Sequence, residues 1–592
     1  MRRMREGSYF EYIEGGKRRK MMKKTVIVAG MVMVVVLAAS VGFCAYHHEG
    51  EADAAKFLAV YPDKAGTKLD HCALCHSGGE DSKGNTLGSC QWCHYTYGYD
   101  GAGNILDTMN EYGKAYYGNG RNAAAVRAIE GLDSDGDTYT NKVEIQANRY
   151  PGDPNDDPSK VPAPFRVYTR AQLEALPSHT QFLLLNTARS GDYYAEYTGV
   201  PMEELLEDAW IDPTATAIRV YAPDGFATDH PLDPDPAANI YHVKGIYPEA
   251  VYQYNDEADT AKNPVDGWCD YSAPSCKGRN YLDPIVVPDG LKMILAYKRE
   301  GGYLDPGVLN LDNKLDGEGP FRVVPPQKVP CPPDQSQKAA NQAVVWPYNS
   351  TWDHNAGFSS RSVTIIKVLP LPAGTTDIDV YEAGWSYVDQ NKIIIYGAID
   401  GNDSNGNGIL DSEEGADPTE DFNGDGTPDF QDPKTARVRQ ANGGGKILID
   451  IPGGALSDVQ ALNDDDPAVT QTGKPAMTFP YGVTKFKITG LIPGASATVT
   501  LVFPGNVPTS ARYYKVNPVS GWQEIPFGSN NGDNTITLTL TDGDPLTDED
   551  SAKDGTIIDP GAVATSTSTP TVQSSGSGGG GCFIDSLDIP FP

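Results

Sequence analysis

The sequence predicts a multidomain chain: a small α module, a β-rich α+β middle domain, and an all-β sandwich toward the C-terminus. Three observations predict it. At 592 residues the chain exceeds what one hydrophobic core supports, so several domains are expected. Apolar patterning also changes along the chain. The N-terminal part has few periodic apolar residues, whereas Ile218-Arg219-Val220-Tyr221, Val363 to Val368, Ala497 to Phe503 and Thr535 to Leu540 read as strands. Finally, a Pro-rich stretch from Pro151 to Pro164 and an acidic, Gly-rich stretch from Asp400 to Pro433 punctuate these regions as linkers do.

The chain begins with an export-type segment, residues 1–45. Lys23 and Lys24 precede a charge-free apolar run from Thr25 to Ala39. That run, about fifteen residues long, suits a cleaved signal better than a membrane span of about twenty. The whole sequence carries 79 acidic against 47 basic side chains, a formal charge of −32. Phosphate would be repelled, which argues against nucleic acid as a partner; hard cations would be attracted.

Residues 51–157 form the first module, and two strings in it carry chemistry. Cys72-Ala73-Leu74-Cys75-His76 and Cys90-Gln91-Trp92-Cys93-His94 are both C-x-x-C-H, the attachment signature of c-type haem. Two thiols on a tight turn add across two porphyrin vinyl groups, and the following imidazole reaches the iron. Paired C-x-x-C steps also suit zinc or redox disulfides, but the His after each second Cys favours haem. The module is therefore expected to be haem-centred, with a helix over Arg121 to Glu130. For the sixth ligands, His71, His47, His48 and Met109 are the candidates. Histidine would give low-potential irons, and a thioether would raise the potential. His179, His230, His242 and His354 lack metal-like spacing.

Three acidic segments fit the twelve-residue EF-type ladder, which surrounds calcium with oxygen ligands. The first lies in the haem module: Asp133, Asp135, Asp137, Asn141 and Glu144, with Thr138 where Gly normally turns. The second is Asp403, Asn405, Asn407, Asp411 and Glu414, and Gly408 at its turn makes it the better fit. The third is Asp421, Asn423, Asp425, Asp429 and Asp432, with Gly426. Such clusters also make solvated turns. The expected role is to rigidify junctions between domains, and residues 400–433 are assigned to these calcium-binding repeats.

Residues 165–399 form the β-rich α+β domain, opening with a helix at Arg170 to Leu176. Within it, Cys269 and Cys276 are close enough in sequence to form a disulfide in an oxidising compartment. Residues 441–561 form the sandwich, and residues 562–592 a Ser/Thr/Gly linker and tail.

The haem module, Leu132-Asp133-Ser134-Asp135-Gly136-Asp137 and Gly317-Glu318-Gly319-Pro320 together resemble exported bacterial dihaem proteins named for a GEGP motif, over residues 51–400. The resemblance implies electron transport in the cell envelope, with Cys72, Cys75, His76, Cys90, Cys93 and His94 holding haem. Asp283-Pro284 through Leu291, Leu295-Ala296-Tyr297 and Gly319 to Val324 resemble the molybdopterin domain of sulfite-oxidase-type enzymes. That resemblance implies a fold and not its cofactor, because the metal-binding Cys context is missing and Cys276 lies too near Gly319. Tyr513-Tyr514-Lys515, Trp522, Leu540 to Gly543, Asp554-Gly555 and Asp559-Pro560-Gly561 resemble the choice-of-anchor domain of bacterial surface proteins. Gly578 to Gly581 with Cys582-Phe583-Ile584 is similar to a sorting or processing signal.

These readings point to two covalently attached haems c, bound calcium, and electron transfer with other redox proteins of the periplasm or outer surface. Two alternatives stand beside it: a haem- or molybdenum-dependent oxidoreductase, and a calcium-stiffened surface protein with accessory haems.

Overall fold

The computed structural model describes residues 51–70, 73–76, 105–188, 191–222, 227–234, 241–247, 252–256, 269–309, 315–334, 348–378, 387–528 and 530–566. The chain is a β-rich, multidomain protein with several sheets and short helices. It divides into two compact units, one ending at Gly401 and one starting at Asn402. Among the described residues, no helix is long and apolar enough to cross a membrane.

In the first unit, short helices at Glu51–Leu58, Ala73–His76, Glu111–Gly118, Ala123–Ala128 and Asn141–Gln146 share one small core. It contains Phe57, Leu69, Leu74, Tyr112, Val126, Ile129, Ile145 and Tyr150. Local sequence starts two of these helices. The side chains of Asn110 and Asn122 accept hydrogen bonds from the backbone N–H of Gly113 and Ala125, which satisfies amides that have no partner inside the helix.

Two sheets follow in the same unit. One runs Gly302–Tyr303, Ile294–Arg299, Asp192–Pro201, His179–Leu185, with Arg322–Val324 also pairing on Ile294–Arg299. The other runs Phe165–Thr169, Lys392–Gly397, Ile365–Leu369, Ala217–Tyr221, Ala227–Pro231. Leu183, Tyr197, Val200 and Leu295 from the first share a core with Ile218, Val220, Ile366 and Ile395 from the second. Thr169 and Gln172 form a reciprocal capping box, so the strand passes directly into the helix Arg170–Glu174.

Asp156 joins the helical segment to these sheets. It is 3% exposed, lies 2.8 Å from Lys68 Nζ, and accepts from Tyr150 N–H and from the Thr376 hydroxyl.

The second unit packs two antiparallel sheets face to face. One orders Thr435–Arg439, Lys446–Asp450, Ser496–Val502, Thr535–Thr541; the other Ala455–Leu462, Val483–Thr489, Ile557–Ala564, Arg512–Asn517, Gly521–Ile525. Thr535–Thr541 shows the period-two rule: Ile536, Leu538 and Leu540 enter the shared core and the threonines face outward.

The Gly317-Glu318-Gly319-Pro320 string is a structural knot. A Cβ on Gly317 would lie 2.4 Å from the Pro306 carbonyl oxygen, and one on Gly319 2.5 Å from that of Leu304. Gly317 also holds φ +114°, so both positions need glycine. Between them, Glu318 Oε1 is 2.7 Å from Arg299. Its Oε2 accepts from Arg322 at 2.8 Å and from the Tyr197 hydroxyl at 3.0 Å. Burial would raise the Glu318 carboxyl, but Arg322 and Arg299 outweigh it and hold the group below its usual value.

Glu318→Ala should therefore destabilise the first unit by about 3 kcal/mol, because Arg322, 5% exposed at its side chain, loses its carboxylate partner. The folded carboxyl titrates below the unfolded value of about 4.3. Its contribution is thus complete above that pH and lost as pH falls through the folded value. Urea unfolding from pH 7 to pH 3 checks this: Glu318→Gln should flatten the acid limb.

Candidate metal centres

The helix Ala73–His76 is held by the segment that follows Ile105. Asn110 donates its backbone N–H to the Cys75 carbonyl at 2.9 Å and its side-chain amide to the Leu74 carbonyl at 3.1 Å. Gly113 lets the two helices touch, since a Cβ there would lie 2.5 Å from the Cys75 carbonyl oxygen. His76 Nδ1 meets the Thr108 carbonyl oxygen at 2.5 Å. A carbonyl only accepts, so Nδ1 carries the proton and the lone pair lies on Nε2. Burial lowers the His76 pKa, the Thr108 bond opposing it. Beside this turn is the phenol of Tyr112, 1% exposed. Its hydroxyl has no hydrogen-bond partner among the described residues, and burial pushes its pKa up.

Cys72, Cys90, Cys93, His94, His47, His48 and His71 lie outside the described residues, as do residues 1–45 and 567–592. Met109 is half-buried and follows Thr108 directly.

The three acidic ladders share a backbone pattern. In the first, Gly136 and Thr138 donate N–H to Asp133 at 2.7 and 3.0 Å. In the second, Gly406 and Gly408 do so to Asp403 at 2.8 and 2.9 Å. In the third, Gly424 and Gly426 do so to Asp421 at 2.8 and 2.9 Å. Ser134, Ser404 and Phe422 then donate to Asn141, Asp411 and Asp429. Thr138 takes φ +91°, an unusual conformation for a β-branched residue that costs roughly 1–3 kcal/mol.

The loops differ at the twelfth position. Glu144 is 0% exposed, and neither of its oxygens has a hydrogen-bond partner among the described residues. One further oxygen each of Asp135 and Asp137 is also without one. Ligand atoms of Asp133, Asp135 and Asp137 lie within 4.8 Å of one another. Burial, with Asp135, Asp137 and Asp133 around it, pushes the Glu144 carboxyl up to about 9, and burial pushes Asp135 up to about 6.

In the second loop, Glu414 already accepts from the Asn405 amide at 3.1 Å, the Asn407 amide at 2.9 Å and the Arg437 N–H at 2.9 Å. In the third, Asp432 accepts from the Asn423 amide at 2.8 Å. Lys434 pairs with Asp425 and Arg437 with Asp429, each at 2.6 Å. Among the described residues, the first loop is thus the one with buried carboxylate oxygens that lack hydrogen-bond partners, despite Thr138. The residue type at the turn was visible in sequence, but the hydrogen-bond donors that reach each loop were not. The second and third loops are also more than a linker. Thr435 accepts from both Asn405 and Asn407 through its carbonyl, and Val459 donates its N–H to the Asn407 carbonyl, so these loops pack within the second unit.

In the middle domain, Cys331 lines a pocket of about 210 Å³ with Tyr194, Tyr252, Tyr281, Gln253 and Asn255. Burial pushes its thiol up to about 12, which keeps it protonated and a poor nucleophile. Cys269 and Cys276 are buried thiols not joined to each other, unlike the disulfide their spacing allows. The remaining histidines are dispersed. His230 and His242 each bond a backbone carbonyl, His354 stacks on Tyr348, and none joins a metal-ligating trio among the described residues.

No protein-family model matches the chain, and no curated protein matches it.

With the cation stripped, folded Glu144 keeps its proton up to about pH 9, while the unfolded carboxyl ionises near about 4.3. The folded state then binds the extra proton, so this group's contribution to stability falls as pH rises through that window. A calcium ion bound by this carboxylate would hold it ionised and remove the slope. The calcium-dependent gain in Tm should widen from pH 5 to pH 9 in thermal unfolding with and without chelator, and Glu144→Gln should abolish most of it.

Proposed function

We propose that the protein is an exported dihaem c-type cytochrome that passes electrons to or from other redox proteins of the bacterial envelope. The observation that carries this reading is the treatment of His76. The Nδ1–Thr108 carbonyl bond fixes the tautomer that places the lone pair on Nε2, the form in which an imidazole ligates iron. Haem, bound by Cys72, Cys75 and His76 and by Cys90, Cys93 and His94, supplies one-electron chemistry.

The chain's own residues orient and enclose the group. Asn110 fixes the carbonyls of Leu74 and Cys75, so the attachment turn is braced from outside the motif. Tyr112 offers a buried, protonated hydroxyl beside Cys75, a donor suited to an acceptor at a porphyrin edge. His71, His47, His48 and Met109 are the side chains that would supply a second ligand to the irons. Calcium in the loop at Asp133 to Glu144 stiffens the same module. It neutralises carboxylates at the end of the helix Ala123–Ala128 and the start of Asn141–Gln146, whose Ile129 and Ile145 neighbours belong to the core that holds Leu74 and Tyr112.

A pyridine haemochrome assay on denatured, acid-acetone-extracted protein should return about two haems per chain. Loss of haem on extraction would overturn the assignment, and Cys75→Ala with Cys93→Ala should abolish attachment. The isolated protein should be six-coordinate and low-spin; ready carbon monoxide binding would instead favour a haem enzyme.

A further inference from the structure

Lys515 and Asp559 face each other inside the second unit. Lys515 lies on the strand Arg512–Asn517 and Asp559 on its neighbour Ile557–Ala564, where Lys515 is in register with Gly561. Strand alternation puts both on the face that carries Tyr513, Ile557 and Val563 into the core between the sheets. Lys515 is 3% exposed and Asp559 0%. Lys515 Nζ contacts Asp559 Oδ1 and donates to the Ile558 carbonyl at 3.0 Å. The Tyr513 hydroxyl donates to Asp559 Oδ2 at 3.3 Å.

An ammonium group has three N–H donors, and these two oxygens are the acceptors it finds among the described residues. An ion pair here leaves one N–H without a partner in an apolar core, besides the cost of desolvating both charges. An amide between Nζ and Cγ carries one N–H and one carbonyl. The Ile558 carbonyl satisfies the first and the Tyr513 hydroxyl the second, so the covalent form has a partner for every polar atom.

We propose that Lys515 and Asp559 join in an intramolecular isopeptide bond. The ammonium first passes a proton to the carboxylate, giving a neutral amine and a carboxylic acid. The amine lone pair attacks Cγ; the Nζ–Cγ bond forms, a Cγ–O bond breaks, and the hydroxyl leaves as water with a second amine proton. One ammonium and one carboxylate thus become one amide and one water, the charges cancel, and no other reactant is consumed. Tyr513 is the positioning residue: its hydroxyl stabilises the oxygen that gains charge when the amine adds. The bond would tie the strand that precedes the C-terminal Ser/Thr/Gly segment to its neighbour, so that tension on that segment meets a covalent link.

Full-length protein, denatured, digested with trypsin and analysed by tandem mass spectrometry, tests this. The expected result is a branched peptide joining the Lys515 and Asp559 segments, lighter by one water than their sum, with no cleavage after Lys515. The branch should be missing from Lys515→Arg and Asp559→Ala, and Tyr513→Phe should lower the branched fraction in freshly made protein several-fold. Folded wild-type protein that is cleaved after Lys515 and gives only linear peptides would overturn the proposal, leaving a buried ion pair.

Discussion

Carboxylate charge that must be buried is the constraint on which this structure depends. The sequence has 79 acidic and 47 basic side chains, so each interior acid needs a fixed source of positive charge or hydrogen bonds. Glu318 takes Arg299 and Arg322, Asp156 takes Lys68, and Asp377 takes Lys367 at 2.7 Å together with the Tyr396 hydroxyl. Lys367 lowers Asp377 against the opposing effect of burial. The Lys68–Asp156 and Tyr197–Glu318 contacts join segments distant in sequence. Lys68 and Thr376 meet on Asp156, which ties the helical module to the sheets. Glu318 reaches Tyr197 on a neighbouring strand, which fixes the loop between Leu304 and Arg322. These acids and their partners therefore set the positions of whole elements, not only the local charge balance.

Glu144 breaks the pattern, and the exception points to chemistry. Its buried oxygens have no hydrogen-bond partner among the described residues, and the acids around it raise its energy further. The same backbone ladder recurs in the second unit, where asparagine amides, Lys434 and Arg437 supply the missing donors. Three loops with one local design thus divide into two kinds, according to whether the surrounding chain delivers hydrogen-bond donors and cations. A similar division separates the thiols. Cys75 is braced at a half-exposed turn by Asn110 and Gly113, whereas Cys276 and Cys331 sit where burial raises their pKa values and suppresses their reactivity.

The period-two runs were legible as strands because side-chain alternation is a property of neighbouring residues. Thr535 to Leu540 and Ile218 to Tyr221 became strands for that reason. The helix expected over Arg121 to Glu130 is trimmed to Ala123–Ala128, its start set by the side chain of Asn122. The strand expected from Val363 begins at Ile365, because Ser362 turns at φ +56° just before it. The spacing of Asp133, Asp135, Asp137 and Glu144 was equally readable, since the ladder is local. Arg299 and Tyr197 around Glu318 were not readable, nor was Thr108 as the partner of His76, because those contacts join residues well separated along the chain.

By itself, the sequence determined a chain of several β-rich parts, the C-x-x-C-H strings, three acidic ladders, and a surplus of negative charge that would have to be neutralised. All of these depend on residue type and short spacing. Tertiary structure alone decided which acids meet a lysine or arginine, that the Glu144 oxygens find no hydrogen-bond partner among the described residues, that Nδ1 of His76 meets the Thr108 carbonyl, and that Lys515 faces Asp559 across two strands. Those outcomes depend on how distant segments approach. In a close-packed interior, displacing a donor by one residue of register turns its side chain to the opposite face.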